Sequence, residues 1–238
     1  MPSRTVSALL LPVVALACAF GQQIAEEDRF DRAREAMVST QLERRGISDP
    51  RVLDAMRSVP RHRFVPPGQR RRAYNDSPLP IGLGQTISQP FIVAFMTQAI
   101  SPHPDDAVLE IGTGSGYQAA ILAQIVKHVY TIEILPQLSE EAQRRFKELG
   151  YENIDAKVGD GYLGWNEHAP YDAILVTAAP EHIPPPLVEQ LKPGGIMVVP
   201  VGGRDEIQAL TLVRKALDGK TTTRSLLPVR FVPLVRER

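Results

Sequence analysis

The 238-residue chain carries a single cysteine, Cys18. That count excludes a disulfide framework and a thiolate metal cage. Aromatic residues make up only 6%, too few for the stacking platforms that bind single-stranded nucleic acid. Neither sign of charge dominates: Lys+Arg and Asp+Glu number 27 each. No global field therefore draws the chain to nucleic acid or to an anionic membrane. No internal repeat and no low-complexity stretch occurs. The histidines His62, His103, His128, His168 and His182 show no metal-ligand spacing, so no metal is expected. The absence of G-x-S-x-G removes the nucleophile of an α/β-hydrolase. What remains is 43% hydrophobic and 23% charged, the balance of one globular domain with a sizeable core.

The N-terminus departs from that balance. MPSRTVSALLLPVVALACAFGQQ places Arg4 ahead of an apolar run from about Val6 to Phe20. The run is short for a membrane span and suits the core of a signal peptide, with Ala19 and Gly21 at the −3 and −1 positions. Residues 1–21 are read as a signal peptide, and 22–238 as one domain with a helical segment at about 28–60 packed on it. The lone Cys18 would leave with the leader, which suits an oxidising compartment. Ala15 stands where a lipidated cysteine would be preceded by leucine, which disfavours lipidation. A periplasmic or secreted location is the expectation, with the cytoplasm as the alternative, and no membrane attachment once the signal is cleaved.

From Phe91 the chain alternates strands with helices. FIVAFMTQAI reads as a helix, AVLEIGT as a strand and GYQAAILAQIV as a helix. HVYTIEI, IDAKVGD, YDAILVTAA and IMVVPVG read as further strands, PQLSEEAQRRFKELG as an amphipathic helix, and PPPLVEQLKPGG as a helix and turn. This alternation predicts a doubly wound α/β fold, Rossmann-like and mostly parallel. The tail predicts two antiparallel strands around a DGK turn. Upstream, a charged helix is expected at about 28–45, and a second opened by Asp49 and Pro50. The connection RHRFVPPGQRRRAYNDSPLPIGLG, with Arg61, Arg63, Arg70, Arg71 and Arg72, reads as a solvated loop. Just after it, Ser88 and Pro90 suit the start of the Phe91 helix, with Ser88 as its cap.

The chemistry centres on VLEIGTGSGYQAAILA. Gly112, Gly114 and Gly116 follow the strand that ends at Ile111, where a glycine-rich turn lets backbone touch a ligand. A dinucleotide fingerprint would put its third glycine where Tyr117 stands, and Glu110 would repel a pyrophosphate. A carboxylate there suits a cation instead. E-x-G-x-G-x-G resembles the first motif of S-adenosylmethionine-dependent methyltransferases, whose cofactor carries an ammonium and a sulfonium. Glu133 closes the next strand, where a carboxylate can accept both ribose hydroxyls. Asp160 and Gly161, in VGDGY, follow the third strand, where Asp160 can accept from an adenine amino group.

RFVPP, PLPIGLGQTISQP and the glycine loop together closely resemble the protein-L-isoaspartate O-methyltransferases. The resemblance runs from about Ala33 to the terminal RFVPLV. It implies methyl transfer from S-adenosylmethionine to the α-carboxylate of L-isoaspartyl residues in damaged proteins and peptides, which starts their repair. It implies Ser88 as the active-site serine, orienting the carboxylate. It also implies that Thr86, Ile87 and Gln89 contact the cofactor alongside Glu110, the three glycines, Glu133, Asp160 and Gly161. A monomer that binds no nucleic acid is expected. Two alternatives fit parts of this pattern: a methyltransferase for another carboxylate or small molecule, and a non-catalytic binder of damaged polypeptide.

Overall fold

The computed structural model describes residues 10–204 and 206–236, residues 10–23 by their helical backbone only. In chain order come α1 (Leu10–Met37), α2 (Pro50–Ser58), the short strands β1 (Leu79–Gly82) and β2 (Gln85–Ile87), and α3 (Pro90–Ala99). Next are β3 (Ala107–Ile111), α4 (Tyr117–Ala123), β4 (His128–Glu133), α5 (Pro136–Glu148) and β5 (Ile154–Val158). The chain continues through β6 (Tyr171–Val176), α6 (Pro185–Gln190), β7 (Leu191–Val201), β8 (Gln208–Lys215) and β9 (Thr221–Val229).

The main sheet runs β5-β4-β3-β6-β7-β8-β9. Strands β3 to β7 pair in parallel, while β8 and β9 add antiparallel at one edge, as the tail pattern predicts. The reason lies in the residues. From Val108 to Ile111 and from Ala173 to Val176 every side chain is buried, as strands covered on both faces require. In α5, Leu138, Ala142 and Phe146 recur every fourth residue on the buried face, and charged residues take the other. Although β4 and β5 intervene in sequence, β3 and β6 are neighbours. The winding reverses between them, which opens a crevice at their carboxyl ends.

The fold departs from the sequence pattern in four places. First, α3 is capped by Gln89 without a side-chain bond, and Pro90 opens it. Ser88 lies one residue too early to cap it, so its hydroxyl is released from that role. By contrast, Asp49 caps α2 as expected, accepting from the Arg51 N–H at 2.9 Å. Second, LKPGG is no simple turn. It opens β7, whose register with β6 slips between the Tyr171–Leu191 and Ala173–Ile196 pairs, so that Lys192–Gly195 stand outside the paired ladder. Third, the helix expected at about 28–45 begins at Leu10 and gives way at Val38 to a π-turn and a 3₁₀ turn. Residues 1–9 of the expected leader lie outside the described residues. Among those described, no helix is long and apolar enough to cross a membrane. Fourth, the arginine-rich connection is not wholly solvated: Arg61 is fully buried.

The N-terminal segment joins the core through Phe30, Met37, Val38 and Leu42. Phe30 stacks on the His62 ring at 4.0 Å and 11°. His62 Nδ1 lies 2.8 Å from the Tyr74 hydroxyl, and Gln41 donates to the Tyr74 carbonyl at 2.9 Å. Burial, helped by Arg34, Arg63 and Arg70, pulls the His62 pKa down to about 4. The unfolded chain then takes its proton first, near pH 6.5. The stability held by neutral His62 is present above about pH 6.5 and lost as pH falls toward about 4. Chemical denaturation should show wild type losing up to about 3 kcal/mol more than His62→Gln over that window. Equal losses would refute the assignment.

Candidate active site

The crevice at the β3–β6 switch point is built by the glycine loop. Gly112 has φ +98°, and a Cβ there would come within 2.5 Å of Thr177 Oγ1. That threonine donates to the Ile111 and Gly112 carbonyls at 3.0 and 2.7 Å and pins the loop's start. Gly116 has φ +85°, and a Cβ there would meet the Phe146 ring at 2.6 Å. Between these points the loop folds back on β4: the Gly112 and Thr113 N–H groups donate to the Ile132 carbonyl at 2.8 and 3.2 Å.

Glu110 is fully buried at the base of the crevice. Its Oε2 accepts from Thr131 Oγ1, which lies 2.7 Å from the Thr113 hydroxyl. Its Oε1 is buried without a hydrogen-bond partner among the described residues. Burial pushes the Glu110 pKa up to about 8, so the carboxyl is largely neutral near pH 7 until a cation arrives. An orphaned carboxylate oxygen lining a cleft fits an ammonium. Glu133, at the end of β4, accepts from the Gly114 and Leu135 N–H groups at 2.8 and 3.0 Å. Each of its oxygens keeps a lone pair for a further donor.

Two cavities share this region. The first is lined by Thr86, Ile87, Ser88, Glu110, Gly112, Gly114, Glu133 and Gly161 among the residues expected from sequence. The second lies beside it, lined by Gln89, Ile92, Ile207 and Arg230. Thr86, Ser88, Thr177 and Val232 line both. Ser88 is half-buried at this junction, and its hydroxyl makes no hydrogen bond among the described residues. Its carbonyl accepts from Arg61 Nη2 at 2.7 Å.

Three expected residues stand apart from the first cavity. Gln89 lines only the second. Gly116 packs beneath Phe146. Asp160 caps a 3₁₀ turn by accepting from the Tyr162 N–H at 2.9 Å, with Arg236 Nε 3.5 Å from its other oxygen. The sequence reading missed the far wall, Val232–Val235. That stretch is held by the Ala179 N–H to the Val232 carbonyl and the Leu234 N–H to the Ala179 carbonyl, both at 2.8 Å. RFVPLV carries part of the family resemblance, but nothing in its local pattern signals that long-range pairing. Leu83, at the β1–β2 tip, carries no sequence signal of its place; it is exposed yet lines the cleft.

The family model for protein-L-isoaspartate(D-aspartate) O-methyltransferase (PCMT) matches residues 32–238. The chain belongs to this family. A protein-L-isoaspartate O-methyltransferase 1 of Cupriavidus necator is 56% identical over 230 residues, covering 96% of this chain and 88% of that protein. A protein-L-isoaspartate O-methyltransferase of Opitutus terrae is 55% identical, covering 96% and 98%. A solved protein-L-isoaspartate O-methyltransferase superposes with TM-score 0.76 at 31% identity, over 84% of this chain and 65% of that longer one. A Plasmodium falciparum structure described as a beta-aspartate methyltransferase in complex with S-adenosyl-L-homocysteine has TM-score 0.73 at 24% identity. It covers 86% of this chain and 99% of its own, and shares the fold.

Proposed function

We propose that the first cavity holds S-adenosylmethionine, that the second receives the damaged polypeptide, and that Ser88 aligns the acceptor where they meet. The enzyme transfers a methyl group from S-adenosylmethionine to the α-carboxylate of L-isoaspartyl residues, the first step of their repair. The observation that carries the site assignment is the junction: Ser88, whose hydroxyl makes no hydrogen bond among the described residues, lines both cavities.

When bound, the cofactor supplies a methyl group already activated on a sulfonium. Glu110 Oε1 would take its ammonium, Glu133 its ribose hydroxyls, and Gly161 with Val232–Val235 would line the side of its base. On the acceptor side no general base is required, because a carboxylate is ionised at neutral pH. The work left to the chain is alignment and exclusion of water. The Ser88 hydroxyl donates to one carboxylate oxygen, Thr86 borders the same point, and Leu83 with the tail covers the donor side.

The test uses labelled S-adenosylmethionine and two peptides that differ only in L-isoaspartyl or L-aspartyl linkage. Base-labile methyl incorporation into the isoaspartyl peptide alone is expected. Equal incorporation into both would sink the substrate assignment.

We also propose that residues 1–21 form an export signal and that the processed chain works unanchored in the periplasm. The basic-then-apolar leader supports this, as does a chain without cysteine after Gln22. N-terminal sequencing of protein from fractionated cells should find a start near Gln22 in the soluble periplasmic fraction. An intact Met1 in the cytoplasmic fraction would overturn it.

A further inference from the structure

Arg61 is 0% exposed, while Arg63, Arg70, Arg71 and Arg72 of the same connection face solvent. Its Nε donates to the Ala73 carbonyl at 2.7 Å and its Nη2 to the Ser88 carbonyl at 2.7 Å. The guanidinium carbon lies 4.8 Å from the centre of the Tyr117 ring, in the first turn of α4. None of these partners is a carboxylate, and Nη1 has no hydrogen-bond partner among the described residues. Burying a cation without a counter-charge is costly, and an apolar side chain would fill the space at lower cost. Burial accordingly pulls the Arg61 pKa down to about 10.

An apolar side chain cannot hold two carbonyls from separate segments in one rigid plane. The Ser88 carbonyl needs such a partner. The first turn of α3 uses the Gln89 carbonyl, which accepts from the Val93 N–H at 3.1 Å. Ser88, one residue earlier, lies outside the helix ladder, and the Arg61 fork takes its carbonyl. Arg61 thereby joins the long connection, the serine segment and the helix that follows the glycine loop.

We propose that Arg61 is a positioning residue of the acceptor site: by gripping the Ser88 carbonyl it fixes the peptide plane from which the Ser88 hydroxyl meets the incoming carboxylate. The inference rests on the assignment of Ser88 made above.

The experiment is a double-mutant cycle in the full chain. Arg61→Met and Arg61→Lys, each alone and combined with Ser88→Ala, are assayed on the isoaspartyl peptide, with cofactor affinity measured by calorimetry. With Ser88 present, Arg61→Met should lower kcat about tenfold or more. Arg61→Lys should lower it too, because one ammonium does not reproduce the planar fork. Cofactor Kd should stay within about twofold in both. In the Ser88→Ala background the same substitutions should change kcat by less than about twofold, since the hydroxyl they would misplace is gone. Equal fold-losses in both backgrounds, or a loss confined to cofactor Kd, would overturn the inference. If Arg61→Met does not fold, the Lys cycle, which keeps the charge, decides alone. Failure of the underlying reading looks different: Ser88→Ala by itself would then leave kcat at the wild-type value.

Discussion

Ser88→Ala is expected to lower kcat about 100-fold on an isoaspartyl peptide while leaving cofactor Kd within about twofold. The substitution removes one oxygen and no packing. The Ser88 hydroxyl makes no bond within the described residues, so the folded chain loses nothing it was using. The backbone stays in place as well, because Arg61 holds the carbonyl and not the side chain. What is lost is a donor at the point where the two cavities meet. In-line transfer depends on holding one carboxylate oxygen against the reacting centre, and a shift of about 1 Å there costs about two orders of magnitude. Thr86, which borders both cavities, keeps the loss from being complete. Single-turnover transfer with cofactor at saturation reads the effect directly. A wild-type rate would remove Ser88 from the site.

Glu110→Gln is expected to weaken S-adenosylmethionine binding about 10- to 100-fold, as loss of a charge-assisted hydrogen bond worth about 1.5–3 kcal/mol implies. The change is nearly isosteric, and the amide oxygen can still accept from Thr131. Near neutral pH the empty site holds a largely neutral acid, since burial raises the Glu110 pKa to about 8. Folding stability should therefore change little. The binding loss arises because Gln cannot ionise when the ammonium enters, whereas Glu110 can. Part of the pairing energy in wild type is used to ionise the acid, which keeps the effect within this range. Calorimetric titration of both proteins measures it; equal affinities would mean that the orphaned Oε1 serves some other purpose.

How much of this was legible in the sequence depends on whether a residue's role is set locally. The β3 strand, the glycine turn and Glu110 were legible because alternating strands and helices imply a parallel sheet, and such sheets bind ligands at their carboxyl ends. The sign of the Glu110 charge then favours an ammonium over a pyrophosphate. The role proposed for Ser88 comes from family resemblance, and its expected capping role failed by one residue because Gln89 took it. The rest required contacts across the fold. The Val232–Val235 wall exists because Ala179, more than fifty residues earlier, pairs with it. Gly116 also has a packing reason to be glycine, because the Phe146 ring lies where its Cβ would stand. Arg61 sits in a run of arginines whose composition says solvent, yet its burial is decided by the Ala73 and Ser88 carbonyls.

The central claim is that one buried carboxylate decides what this cleft holds. Calorimetry of S-adenosylmethionine binding near pH 7, repeated in buffers of different ionisation enthalpy, tests it most directly. If Glu110 changes from neutral acid to carboxylate as the ammonium arrives, wild type should release about one proton per ligand bound, and affinity should rise with pH toward about 8. Glu110→Gln should release none. Buffer-independent binding by wild type together with unchanged affinity in Glu110→Gln would contradict the account, because the ammonium would then be held without Glu110.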